Sequence, residues 1–454
     1  MFADQLDALR QVLWGAPLLV LLLGTGVFLT LRTRGLALRN LVPALKLALG
    51  RDSRKSGGSV SPFAALMTTL AATIGTGNIV GVAAALTAGG PGALVWMQLS
   101  ALVGLTLKYA ECTLAVKFRR PGEHSGGPMA VMERGIRPRW LGRFLGSLFA
   151  AFTVLASFGV GDMTQSNSMA TALRTATGIP VHLIGAFTAI LTLLITAGGI
   201  QRISRAASVL VPFLAGGYLL AGSAVIWANR AGLPEAIGLM LHQALSPRAF
   251  LSGAAGQAIR VGVTRGVFSN EAGMGSSAIT AASASGDDPS VHGYINMTGV
   301  FFDTTVICTI TGLAICCSGV LGTLDPATGL PADGAALTIL AFQSVLGSRS
   351  GTFLAVSIAL FAFSSMLGWA YQGEMALAYL AGGRAIPLYR VCFALAAWWG
   401  AVEELATVFC LSDIANALMA VPNLICLLLL SGVVKQEMER FQRTHFARNR
   451  TKKL

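Results

Sequence analysis

The sequence predicts an all-α integral membrane protein of about eleven spans, ten of them forming an inverted five-plus-five helix repeat behind one leading helix. Three observations predict this. First, 54% of the 454 residues are hydrophobic and only 12% are charged, against about 25% charged in an ordinary soluble domain. Second, Ser56 to Leu107 runs for 52 residues without Asp, Glu, Lys or Arg, enough for two spans of about 20 residues and a tight turn. Third, two polar, glycine-rich interruptions stand 194 residues apart (Gly77 and Glu271) in corresponding apolar segments. An odd number of spans per repeat makes the two halves enter the bilayer from opposite sides.

The leading span is Gln11 to Leu31, 21 residues without a charge. The stretch before it is acidic, unlike the basic start of a cleavable signal peptide, so the span is expected to remain. Ten more spans follow near 62–88, 93–117, 145–174, 180–199, 206–228, 252–284, 292–320, 350–378, 386–401 and 407–433. Gly89-Gly90-Pro91-Gly92 breaks the first two into a hairpin, because helix cannot continue through it. The expected units are 1–61 (leading helix and basic loop), 62–228 (first repeat), 229–251 (external linker), 252–433 (second repeat) and 434–454 (basic tail).

Net charge is +13. With the N-terminus outside, segments at 32–55, 117–143 and 434–454, together with Arg202, Arg205 and Arg384, place 24 of the 33 Lys and Arg on the cytoplasmic side. That is the positive-inside pattern of a multi-pass plasma-membrane protein, and it assigns the basic excess to the lipid bilayer rather than to nucleic acid. The seven cysteines all lie in apolar stretches without metal-ligand spacing, and the five histidines are scattered. Neither a transition-metal site nor an enzyme's catalytic grouping is expected.

The chemistry concentrates at the interruptions. Thr73-Ile74-Gly75-Thr76-Gly77-Asn78 weakens a helix at mid-depth, where lipid supplies no replacement hydrogen bonds. An unwound turn there offers main-chain N–H groups to a carboxylate, and the carbonyls of Ala71 to Ile74 to a sodium ion. A small-residue packing face is the alternative for this motif by itself. Its counterpart, Gly262 to Gly275, carries four glycines with Arg265 and Glu271, and paired breaks favour a binding site. The two charges have candidate partners in each other and in Lys108, Glu111 and Asp303. Gln165 and Asn167 are candidates for a substrate ammonium, or for interhelical hydrogen bonds. Ser364 and Ser365 offer adjacent hydroxyls suited to a hard cation, or to back-bonding within their own helix. Trp369 is bulky enough to limit a side chain. The span 206–228 has no Lys or Arg that would replace a bound sodium, which favours sodium over proton coupling.

These residues resemble the alanine or glycine:cation symporters. The matching blocks are Gly75-Thr76-Gly77-Asn78-Ile79-Val80-Gly81, Gly89-Gly90-Pro91-Gly92-Ala93, Lys108 to Ala115, Arg265 to Gly273, Asn416 to Leu424 and Leu430 to Val434. They cover most of 60–435. The resemblance implies sodium-coupled uptake of small amino acids by alternating access, on the fold shared with neurotransmitter:sodium symporters, which also carry Gly-x-Gly-Asn. It implies a substrate site of Gly75, Thr76, Gly77, Asn78, Gln165, Phe268, Ser269, Asn270, Met274 and Trp369. Gln165, Ser269 and Asn270 would take the amino group, and Phe268, Met274 and Trp369 the side chain. It implies a sodium site of Ala71, Ile74, Ser364 and Ser365, with sodium as coupling ion and no other cofactor. A proton-coupled symporter, or a channel or sensor on the same scaffold, are the alternatives. The chain departs from the family at Val95-Trp96-Met97-Gln98, where Phe-Trp-Met-Trp is usual. It also departs at Ser364 and Ser365, where threonines are common, and at Met274, where leucine is.

Overall fold

The computed structural model describes residues 2–50, 53, 60–120, 126–246, 253–325 and 329–446. These residues are nearly all helical; two isolated bridges, Val60 to Ala284 and Leu324 to Pro331, are the extended pairings. Nine of the described helices are long and apolar enough to cross a membrane. The two other expected spans are Val181–Thr196, at 16 residues, and the segment of the second interruption, which is split into Ala254–Asn270 and Ser276–Ala282. The chain is a multi-pass membrane protein.

The leading span, Ala16–Arg32, follows a shorter helix, Phe2–Leu13, and their junction lies at Trp14 and Gly15. The first repeat opens with Pro62–Thr73, whose N-cap Ser61 accepts the Ala64 N–H at 3.2 Å and whose first position is proline, both favourable at a helix start. It resumes as Thr76–Gly89. Gly90 turns the chain at φ +69° and Gly92–Lys117 runs back. One long rod then joins Arg139–Phe158, a wide π turn at Gly159–Met163, and Thr164–Thr177. Gly178, at φ +74°, and Pro180 end it. Val181–Thr196 and Gly199–Ala228 complete the five.

The second repeat follows the same order. The split pair precedes Pro289–Val300, which passes through a π turn at Phe301–Cys308 into Thr309–Cys317. Arg349–Ala381, Ile386–Val402 and Leu405–Leu429 complete it. The repeats pack element against matching element. Ala254–Asn270 lies on Thr76–Gly89, Pro289–Val300 on Gly92–Lys117, Thr164–Thr177 on Arg349–Ala381, and Val181–Thr196 on Ile386–Val402. Two helices in the connecting segments, Leu233–Leu245 and Gly334–Leu346, are additions to the expected plan. They are apolar but too short to span. Large apolar side chains face outward on the leading span and on the fourth and fifth helices of the first repeat, among them Val20, Phe187, Phe213 and Leu220, as a lipid-facing surface requires.

Candidate functional site

At the first interruption the helix stops at Ile74, whose ψ of 87° is no longer helical, and restarts at Thr76. Gly75 is required by space. A β-carbon there would run into the Ser365 hydroxyl and lie 3.0 Å from Gln165 Oε1. The freed donors are aimed at side-chain oxygens. The Gly75 N–H donates to Asn78 Oδ1 at 3.1 Å, and the Thr76 N–H and hydroxyl both donate to Gln165 Oε1, at 3.3 and 3.1 Å. The start of Thr76–Gly89 is therefore a fully buried cluster of main-chain donors at the positive end of a helix, an environment suited to a carboxylate.

Gln165 is held there by the π turn. The Thr164 N–H reaches five residues back to the Gly159 carbonyl, and the Val160 carbonyl accepts Gln165 Nε2 at 3.0 Å. Wide turns of this kind are frequent at functional sites.

On the other side of the same break, the Ala71 carbonyl accepts the Ser365 hydroxyl at 2.9 Å and the Ser364 hydroxyl at 3.5 Å. Ser364 also back-bonds to the Phe361 carbonyl at 2.8 Å. The helices meet closely because Gly368 sits against Ala72, where a β-carbon would stand 2.6 Å from the alanine's own. A carbonyl and two hydroxyls are donors of the kind a sodium ion takes. Ile74 is buried at the break itself.

The second interruption is a run of left-handed residues: Glu271 at φ +55°, Gly273 at +91° and Gly275 at +81°. Glycine adopts this region freely and glutamate does so at a cost. The Glu271 side chain is tied on both oxygens, accepting the Ser276 hydroxyl and, at 2.8 Å, Trp369 Nε1. Glu111 Oε1 accepts the N–H groups of Gly273 and Gly275, at 2.9 and 3.0 Å, and Asn423 Nδ2 at 2.8 Å. Lys108, 1% exposed, donates to Ser277 at 2.6 Å within Coulombic reach of Glu111, Glu271 and Asp303. Asn270 Oδ1 accepts the Ala272 N–H at 2.9 Å, and its amide donates to Thr304 at 3.0 Å.

The two interruptions touch. Asn78 Nδ2 donates to Ser269 Oγ at 3.0 Å and to the Asp303 carbonyl at 3.2 Å, and a β-carbon on Gly77 would lie 3.2 Å from the Phe268 ring. Ser269 donates to Asp303 Oδ1 at 2.5 Å and Thr304 donates to the same oxygen at 2.9 Å. Asp303 Oδ2 has no hydrogen-bond partner among the described residues. Asn78, Ser269, Asp303 and Thr304 thus form an oxygen-rich nest beside Gly77. Asp303 appeared in the sequence only as a partner for Arg265 or Glu271. An isolated acid inside an apolar span was the signal that it belonged to the site.

Of the sequence-predicted residues, Gly75, Thr76, Gln165, Ser364 and Ser365 gather at the first break, and Gly77, Asn78, Phe268 and Ser269 join it to the second. Asn270 serves the second break. Met274 is fully buried within the turn from Glu271 to Gly275, its N–H donating to the Glu271 carbonyl at 3.2 Å. Trp369 is fully buried and packs against Gly161, where a β-carbon would collide with it. Two expectations need correction. Arg265 pairs with Asp413 at 3.4 Å, its guanidinium 5.5 Å from the Phe268 ring and 5.0 Å from the Phe409 ring, and not with Glu271, Lys108, Glu111 or Asp303. Six residues of helix set it roughly 120° around the axis from Glu271, which itself leaves the helix at φ +55°. Asn167 donates to the carbonyls of Gly400 and Glu403, at 2.9 and 2.7 Å, and so joins two helices as the alternative reading had it.

A cavity of about 830 Å³ opens above this assembly, lined by Arg10, Val80, Asn167, Arg265, Asp333 and Phe409 among others. Its floor lies about one helical turn from the breaks. The Arg265–Asp413 pair and the facing rings of Phe268 and Phe409, 5.8 Å apart, separate it from Gly77.

Known proteins resemble this chain in sequence and in fold. The profile described as "Sodium:alanine symporter family" matches residues 1–453. The sodium/alanine symporter AgcS of Methanococcus maripaludis is 44% identical over 444 residues, covering 97% of each chain. The probable sodium/glutamine symporter GlnT of Bacillus subtilis is 36% identical over 438 residues, 96% of this chain and 89% of that one. Among solved structures, MhsT in complex with L-phenylalanine superposes with a TM-score of 0.60 at 15% identity, over 82% of this chain and 89% of that chain. The likeness to MhsT is one of fold. Two broken helices in matching positions, the inverted repeat around them and the profile match over nearly every residue lead to one statement: the chain belongs to the sodium:alanine symporter family.

Proposed function

We propose that the protein imports small amino acids, alanine and glycine first, by sodium-coupled symport with alternating access. The observation that carries this reading is the first break, where a cluster of main-chain donors and a carbonyl-hydroxyl cluster occupy opposite sides of one unwound turn. The donors at Gly75 and Thr76 would take the substrate carboxylate, with Gly77 giving the backbone room to approach. Gln165 Oε1 and Ser269 would receive the ammonium, with Asn270 holding the turn behind them. Phe268, Met274 and Trp369 would bound the side chain. One sodium would sit between the Ala71 and Ile74 carbonyls and the hydroxyls of Ser364 and Ser365. The nest at Asp303, whose Oδ2 has no hydrogen-bond partner among the described residues, would supply oxygens for a second.

Bound sodium would tie the carbonyls of the break to the two serine hydroxyls and stiffen it, so that the amino acid meets an assembled site. The repeats 62–228 and 252–433 would supply the two moving halves. The cavity lined by Arg10 and Arg265 would be the external vestibule, in keeping with the 24 of 33 cations that an outside N-terminus places on the other side.

Uptake of labelled alanine into proteoliposomes tests the reading. An inward sodium gradient should drive accumulation, and replacement of sodium by choline should abolish it. Ser365→Ala should raise the sodium concentration needed for half-maximal uptake about tenfold, the equivalent of about 1.4 kcal/mol. Equal uptake in choline removes the coupling, and an unchanged sodium requirement in Ser365→Ala moves the ion elsewhere.

A further inference from the structure

Asp162 is fully buried, and neither of its carboxylate oxygens has a hydrogen-bond partner. Among the described residues it is the one buried carboxylate of which this is true; Glu111, Asp303, Asp413 and Glu437 each keep one oxygen bonded or paired. The reading proposed above gives it no work.

Its surroundings follow from the helix on which it stands. The π turn at Gly159–Met163 packs against Ile386–Val402, and the Asp162 carboxylate lies within Coulombic reach of Tyr389. The Phe158 ring lies 5.4 Å from Tyr389 and 5.8 Å from Phe393, and Ser166 donates to the Ala397 carbonyl at 2.6 Å. Asp162 stands between those two levels, opposite rings and alanine.

The charged and titratable groups nearby are all engaged elsewhere. On Ile386–Val402, Tyr389 donates to Ser157 at 2.9 Å, and Arg390 is held by both oxygens of Glu374, at 2.6 and 2.9 Å. Glu374 is the ionisable group that Arg349–Ala381 brings to this side, beside the neutral Trp369. On Leu405–Leu429, Ser412 shares a hydrogen bond with Thr164 at 2.7 Å, and Asp413 is paired with Arg265. Arg139–Phe158 carries no charge after Arg143, and Thr164–Thr177 none before Arg174.

A bare carboxylate in such a place is very costly and requires a compensating positive charge. Sodium takes several oxygen ligands, and on the wall of Phe158, Tyr389, Phe393 and Ala397 the one side-chain oxygen, the Tyr389 phenol, is bonded to Ser157. A proton needs only the carboxylate itself. We propose that Asp162 is a proton-binding site, and that its occupancy sets the π turn that aims Gln165 at the first break. The proton adds to one carboxylate oxygen from water and leaves the same way, with no other bond made or broken.

The acid form has a hydroxyl that can back-bond within its own helix, as Thr153 does to the Phe149 carbonyl at 2.8 Å. The ionised form has acceptors only. It competes for the N–H groups of Gly159–Met163 and so disturbs the turn from which Val160 holds the Gln165 amide. The effect on alanine rests on the transport reading; the protonation of Asp162 does not.

Two measurements on the reconstituted full chain test this. Infrared spectra of the wild type, taken across a pH series, should contain a carboxylic-acid carbonyl band that is missing from Asp162→Asn and displaced in Asp162→Glu. Sodium-driven alanine uptake by the wild type should show a KM about tenfold higher at alkaline than at acidic pH, the scale of one lost hydrogen bond. Asp162→Asn, a neutral mimic of the acid, should flatten that profile. Identical infrared spectra mean that Asp162 is ionised and overturn the proposal, as does an identical pH profile in wild type and Asp162→Asn. Uptake that needs no sodium in either protein strikes at the transport reading instead, and the infrared band then decides the proton site. If Asp162→Asn does not fold, the band's displacement in Asp162→Glu decides it.

Discussion

Gly75 shows how narrowly a single position is determined at this site. Ser365 and Gln165 close on it from two sides, so the position has room for a hydrogen and for nothing larger. Gly75→Ala should therefore push apart the helices that carry the candidate sodium and substrate ligands, at about 1–3 kcal/mol. Equilibrium binding of labelled alanine to the purified protein should weaken by at least about tenfold, while expression and monodispersity stay near those of the wild type. Unchanged binding would mean that the Ser365 hydroxyl swings away freely. Residues of this kind were partly legible in the sequence, because a second break in the corresponding span outweighs the small-residue packing face that either motif alone would suggest. Gln165 rather than Asn167 came from the family resemblance; the amide composition left both open, and the fold turns Gln165 to the break and Asn167 to Gly400 and Glu403.

Among the elements, the second broken helix depends on a neighbour for its shape. Its turn leaves the Gly273 and Gly275 N–H groups without helical partners, and Glu111, 162 residues away from Gly273 in the chain, accepts both. Removing a buried acceptor strands its donors at about 1–3 kcal/mol each. Glu111→Ala should lower the thermal stability of the purified protein markedly, and Glu111→Gln, which keeps one acceptor oxygen, should fall between it and the wild type. Equal melting temperatures for all three would show that the glycines find other acceptors. That the helix breaks was readable from its glycines and charges. What holds it broken was not, because the partners come from distant spans: Asp413 for Arg265, Trp369 for Glu271, Thr304 for Asn270. Apolar periodicity carries no record of such pairings, and Leu233–Leu245 and Gly334–Leu346 escaped notice as helices because their apolar runs fall short of a span.

Across the whole molecule, the cavity above the breaks and the closed layer beneath it are what the proposed alternating access would require of one of its states. Phe268 and Phe409 with Arg265 and Asp413 form the closure, and three of these four line the cavity or pair across its floor. Arg265→Ala removes the ion pair and the charge held between the rings. A cysteine placed at Thr76, in a background without Cys410, should then react severalfold faster with a charged thiol reagent than it does with Arg265 intact. No acceleration would place the barrier in the rings alone. Nine of the expected spans and the inverted repeat were legible at this scale because hydrophobic length reports directly on the bilayer.

The two notches of the duplicated frame differ in one respect with a wider consequence. The second arrives already plugged: an inbuilt acid occupies its exposed amides. The first has only neutral oxygens against its own. On the proposed reading a zwitterion's negative end would go to the first notch alone, and a twofold scaffold would carry its cargo in one orientation.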